Sequence, residues 1–177
     1  MNVTTLKTRL YDLIQPILGG RVIWADQSAP RPALPYVTLR LGVITPIGEA
    51  HYSDVDNAGV QSVLGVRESI LNVVRFGADS VGEIEDFADK LALNSNLDKF
   101  SNQEVSLFDV SPVTDIAQLL NGIAIEPRAS VDVSIRWAST QLDNVGIIQT
   151  VHGNGTVGPD GTALGEEYAI NAVTVGY

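Results

Sequence analysis

The sequence contains no cysteine. That one absence removes disulfides, thiolate metal sites and cysteine nucleophiles together, and it fits a reducing cytoplasm. Histidine is almost as scarce, with His51 and His152 the whole supply. They stand far apart and form neither HExxH nor HxH spacing, whereas a zinc site needs about four converging N, S or O ligands. Basic residues are few: 11 Lys and Arg against 21 Asp and Glu, for a net charge of −10. A nucleic-acid binder needs a basic patch to displace counterions from phosphates. Here the cations are scattered, so DNA binding is not expected. An acidic surface that repels phosphate can still let DNA pass without holding it, and solubility alone is an equally good reason for the charge. No apolar run approaches the roughly 18 residues of a membrane span. The opening MNVTTLKTRLYDLIQP sets Lys7, Arg9 and Asp12 among its apolar residues, unlike a secretory signal. No GxSxG elbow supports a serine nucleophile.

What is present is a foldable chain. Hydrophobic residues make up 45% and charged residues 18% of 177 residues, enough for one domain with a sizeable core. Val3, Leu6, Leu10, Leu13, Ile14 and Ile17 recur at helical spacing. They predict a helix over about 3–18, capped by Asn2, with Pro16 in its last turn and Gly19-Gly20 as the stop. RVIWA at 21–25 reads as a short strand. From Tyr36 to Ile44 the apolar set Val37, Leu39, Leu41 and Val43 alternates with Tyr36, Thr38 and Arg40, a half-buried strand. Further strands are expected over about 47–53, 61–76 (bent near Gly65), 104–110, 129–137 and 145–151, with a turn at Asn121-Gly122 and a last apolar run at 168–175. Ser80 followed by Glu83 has the spacing of a capping box. The stripe Val81, Ile84, Phe87, Ala88 and Leu91 behind it predicts a second helix over about 80–94. Glu83, Glu85, Asp86 and Asp89 crowd its first turns, where the helix dipole favours acids.

The motifs that invite chemistry read more simply as loops. Gly153-Asn-Gly155-Thr-Val-Gly158 matches GxGxxG letter for letter, but Pro159-Asp160-Gly161 follows where a dinucleotide site needs a helix to open. Asp54, Asp56 and Asn57 resemble half of a calcium loop, yet its twelfth position holds Gly65 in place of the bidentate Glu. Asn2-Val-Thr4 and Asn154-Gly-Thr156 match the glycosylation acceptor, which has no consequence without secretion. These residues point to no enzyme, no cofactor and no metal. A small-ligand domain using the 153–161 loop is the alternative from another functional class.

One stretch is harder to dismiss: ADQSAPRPALPYVTLRL at 25–41, with Pro30, Pro32 and Pro35 inside six residues and a clean strand behind them. Proline fixes its own φ and holds the preceding residue extended. The stretch is therefore a stiff arm that cannot pair along its length. Two readings stand: a rigid connection between strands of one sheet, or an arm laid against another surface.

The sequence resembles the phage neck or tail terminator family. The resemblance rests on the first helix, the strand carrying W-A-D-Q, and P-R-P-x-x-P-Y-V-T-L-R-L. It continues with Arg75-Phe76-Gly77-Ala78, the acidic helix, and the strand opening at Glu126-Pro-Arg128-Ala129. It covers about residues 1–142. The remainder, 143–177, is read as a C-terminal strand or hairpin extension. The fold class expected is α+β, a mostly antiparallel sheet with two helices packed on one face. The resemblance implies a structural virion protein, made in the host cytoplasm. Six copies would close as a ring on the tail tube, end its polymerisation and join the tail to the head-side connector. Another head–tail joining or tail-completion protein is the alternative. The implied partners are further copies of the chain, the tube protein (with sheath protein in a contractile tail) and the connector. DNA would pass the lumen without specific binding, and no membrane is involved. Trp24, Pro30, Arg31, Pro32, Pro35 and Tyr36 are the candidate subunit or partner contact, with Arg31 suited to meet an acid on a neighbour. The acidic face of Glu83, Glu85, Asp86 and Asp89 is left to solvent, partner or bore.

Overall fold

The computed structural model describes residues 1–25, 27–120, 124–146, 151–153 and 168–170. In chain order the elements are α1 (Val3–Leu18), β1 (Arg21–Trp24), β2 (Tyr36–Leu41), β3 (Thr45–Tyr52), β4 (Val60–Phe76), α2 (Ser80–Leu91) and α3 (Asn94–Asn102). They continue with β5 (Val105–Val110), β6 (Thr114–Asp115), β7 (Gln118–Leu120), β8 (Ala124–Glu126), β9 (Arg128–Asn144), β10 (Val151–Gly153) and β11 (Tyr168–Ile170). The expected α+β class, with a large and mostly antiparallel sheet, is the observed one. Seven strands join in the order β1-β2-β4-β9-β5, with β3 added on β4 and β6 on β9. The β2–β4, β5–β9 and β6–β9 ladders are antiparallel, while β1 runs parallel to β2. β7 and β8 form a separate antiparallel ladder.

The alternation of side chains along each strand divides the sheet into two faces. Val22, Val37, Leu39, Leu71, Val73, Val131, Val133 and Ile135 turn to one face and are buried. Leu6, Leu10, Ile14 and Leu18 of α1, Ile84, Phe87 and Leu91 of α2, and Phe100 of α3 join them in a single core. All three helices therefore pack on the face their apolar stripes demand. The Asn2 side chain accepts a hydrogen bond from the Thr5 N–H at 2.8 Å, the cap expected for α1.

Two local readings are corrected. The second expected helix is two: α2 stops at Leu91, and α3 restarts at Asn94, held by Asn96, whose side-chain amide donates to the Lys90 carbonyl at 2.8 Å. The capping box is not formed either. Asp79, with φ 55°, is the N-cap of α2, and Ser80 lies inside the first turn and is buried. A buried Ser80 cannot turn outward to cap, and Asp79 tolerates left-handed backbone as Asp often does.

The described residues fall into two compact units, 1–49 with 65–140 and 50–64 with 141–177. Within the second, the calcium-like residues make a turn. The Asp56 carboxylate accepts from the Ala58 and Val60 N–H groups at 2.8 and 2.9 Å, so its oxygens serve the backbone of its own loop. The carbonyl of Gly59 accepts from the N–H groups of Val145 and Gly146, both at 3.0 Å. The glycine motif from Asn154 onward, the Asn121-Gly122 turn and residues 171–175 lie outside the described residues.

α1 is tied to the start of β5 by Arg9, which donates to the Gln103 carbonyl at 2.7 Å and to Glu104 at 2.8 Å. The hydrogen bond and charge of Arg9 lower the Glu104 carboxyl below its ordinary value. A carboxyl lowered on folding adds stability that is complete above the ordinary carboxylate range and lost as pH falls through the lowered value. In a side-chain NMR titration Glu104 is expected to titrate below the usual Glu range, and Arg9→Met should return it there.

Candidate functional site

Parallel pairing of β1 with β2 obliges the chain to travel back along the sheet between them. Arg21 lies beside Tyr36 and Trp24 beside Leu39, so residues 25–35 must run from the end of β1 to the level of its start. That is the task of the proline arm. Of the two readings left open by the sequence, the rigid connection within one sheet is what the chain adopts. A connection lacking proline N–H groups cannot enter the sheet as another strand. It crosses instead over the face opposite the helices. Between the arm and the outward residues of β1, β2 and β4 lies a cavity of about 400 Å³, with Arg21, Trp24, Arg31, Tyr36, Arg40 and Phe76 among its walls.

The arm's inner end is fastened by charge. Glu126, its side chain only 4% exposed, forms ion pairs with both Arg31 of the arm and Arg128 of β9. The Arg128 Nε donates to Glu126 at 2.6 Å, and another of its N–H groups donates to the Gln118 side chain at 2.5 Å. The two guanidinium groups offset the cost of burying this carboxylate. Beside it the Tyr36 and Phe76 rings stack at 4.6 Å with 8° between their planes. The Arg31 guanidinium carbon sits 5.6 Å from the Tyr36 ring centre and 5.7 Å from that of Phe76. Arg128 lies 4.9 Å from the Phe76 ring, so cations and rings share one stack. Tyr36 was read on the polar face of its strand, and it does point away from the helices. It is nonetheless buried, because the arm covers it.

Gly77 closes the assembly. Its φ is +113°, its N–H donates to the Pro127 carbonyl at 3.0 Å, and a Cβ there would lie 3.1 Å from Pro35 Cβ and 3.2 Å from Pro35 Cα. The three separated stretches P-R-P-x-x-P-Y, R-F-G-A and E-P-R-A thus meet at one place. Arg31 reaches an acid of its own chain. Trp24 is half-buried against the core and carries Lys7 Nζ at 5.1 Å. Pro30 and Pro35 are exposed, and Pro32 is half-buried. Phe76, Gly77, Glu126 and Arg128 complete the site, and the candidate contact read from the sequence does not include them. Their signal was chemical: a carboxylate and an arginine two residues apart at the mouth of an apolar strand.

The acidic face of α2 is a separate feature. Glu83 is half-buried and lies 3.6 Å from Arg75, and Asp86 pairs with Lys90 at 2.5 Å. Glu85 and Asp89 are exposed. Among the described residues no group of three or more His, Cys, Asp or Glu could hold a metal ion, and no helix is long and apolar enough to cross a membrane.

Residues 4–160 match the family described as phage neck terminator protein. The matched span contains all three converging stretches and runs past residue 142, where the resemblance legible in the sequence ends. No curated protein matches the chain.

Gly77→Ala is expected to destabilise the fold by roughly 1–3 kcal/mol, through strain at positive φ and contact with Pro35, measured by urea unfolding. Glu126→Ala, which leaves Arg128 without its carboxylate, should cost roughly 3 kcal/mol. In the Glu126→Ala background a further Arg31→Ala should cost less than it does alone, because the two share one interaction.

Proposed function

Because this chain belongs to the phage neck terminator protein family, we propose that it closes the tail tube as a ring of copies, stops tube polymerisation and joins the tail to the head-side connector. Six copies is the stoichiometry this reading carries. The family is structural, placed in the neck of the virion among other tail and head proteins. The observation that supports the finer reading is the pinned arm. A stiff segment held by a buried ion pair, a ring stack and Gly77 presents one fixed surface without having to be ordered on binding. A component that must register against a tube on one side and a connector on the other benefits from such a surface. The tube protein, the connector and, in a contractile tail, the sheath protein are its partners.

The charge suits a conduit. A net charge of −10 repels phosphate, so DNA passes the lumen without specific binding. No catalysis or cofactor enters this role. In this reading residues 143–177 are an extension added to the 1–142 body, and strand addition to a neighbour is a role such an extension can take. A head–tail joining or tail-completion role is the second reading, because such proteins also act in the neck that the family description names.

Microscopy of particles from a phage with a stop codon in this gene separates the two. Overlong tubes are expected if the chain ends polymerisation. Tails of normal length that never meet filled heads would move it to the joining role, and intact virions would overturn both.

A further inference from the structure

A chain of net charge −10 repels its own copies. A contact between copies that sets cations of one against acids of the other offsets that repulsion. Among the described residues, six of the eleven cations form ion pairs within the chain: Arg9 with Glu104, Arg31 and Arg128 with Glu126, Arg75 with Glu83, Lys90 with Asp86 and Arg136 with Glu68. Around the cavity beneath the proline arm three guanidinium groups gather on the outer face of the sheet. Arg31 stands at its fastened end and Arg40 is held within the chain, while Arg21 is exposed on β1 with no counter-ion among the described residues. Trp24, Tyr36 and Phe76 supply apolar wall between them.

The matching surface is on the other side of the same unit. Glu85 and Asp89 stand one turn apart on α2, both exposed and neither with a counter-ion among the described residues. The cavity opens on the face away from the helices, and α2 lies on the helical face. One copy cannot bring the two together, but two copies can. We propose that the cavity beneath the arm receives the Glu85–Asp89 face of α2 from a second copy of this chain. The contact joins unlike surfaces, so each copy keeps a free cavity on one side and a free acidic face on the other. Repetition then makes a closed ring if the rotation closes. This contact rests on the ring reading above and names the surfaces that would build it. Arg21 supplies the attraction, and the aromatic walls lie beside it.

The test uses assembled particles and exploits the lack of native thiols. The full chain with Ala29→Cys at the cavity wall and Ala92→Cys at the end of α2 replaces the parent chain in the phage, and particles are treated with a short bis-maleimide. A ladder of dimers, trimers and larger species is expected from the double variant, and monomer alone from either single variant. Particles that contain the double variant yet yield only monomer would overturn this contact and leave the cap reading standing. Particles that lack the chain altogether would sink the cap reading and the contact with it. As a second measurement, Arg21→Glu should lower particle yield roughly tenfold through like charges facing each other, and adding Glu85→Lys with Asp89→Lys should restore it. Parental yield from Arg21→Glu alone would overturn the proposal.

Discussion

The Glu126 carboxylate, held between Arg31 and Arg128, is the constraint on which the outer half of this structure depends. Helices and sheet would form their core without it, because that core is apolar and lies on the other face. The proline arm has no such core beneath it. Its one large aliphatic side chain, Leu34, is exposed, its prolines donate no hydrogen bonds, and it crosses a sheet face that would otherwise be wet. A buried ion pair is a costly fastener, because both ions lose water. Here the desolvation is offset by two cations on one carboxylate, by hydrogen bonds from Arg128, and by rings that accept the guanidinium faces. Such a cluster is intolerant of partial loss, and that intolerance gives it geometric specificity.

The same cluster explains what three short, separated stretches of the chain do together. None of them is a catalytic motif. Each supplies a component that has no use alone: a cation on a stiff arm, a ring and a glycine at the end of a long strand, a carboxylate and a second cation at the start of another. Gly77 gives the clearest case, since its positive φ and its closeness to Pro35 each disfavour a side chain. A structural role in the neck is consistent with that economy. The chemistry found at this cluster is that of holding a segment of the chain in place.

Much of the fold was legible beforehand, for local reasons. Alternation in VTLRL and in ASVDVSIRW names strands because side chains on a strand alternate by geometry, and the stripe from Leu6 to Ile17 names a helix. The break between α2 and α3 was not legible, because the residues around Ala92 and Asn94 do not exclude helix and the Asn96 bond that holds the restart lies beyond the break. The role of Ser80 was misread for a similar reason: capping spacing says which residues could bond, while burial of Ser80 against the core decides which do.

Sequence by itself determined the α+β class, the inward face of β2 and β9 (though not the end of β2, since Val43 lies past it and is exposed), the cap on α1, and the stiffness of the arm, since proline's φ and the two-residue period of a strand are properties of the chain alone. It also determined the acidity, and hence that copies carry like charge. Only the tertiary structure decided that the arm is a crossover between parallel β1 and β2, that Tyr36 on the polar side of its strand is buried, and that Arg31 meets an acid of its own chain. The physical reason is distance along the chain. Glu126 lies far from Arg31 in sequence, and no local propensity records a contact that exists only once β2, β4 and β9 have been set side by side.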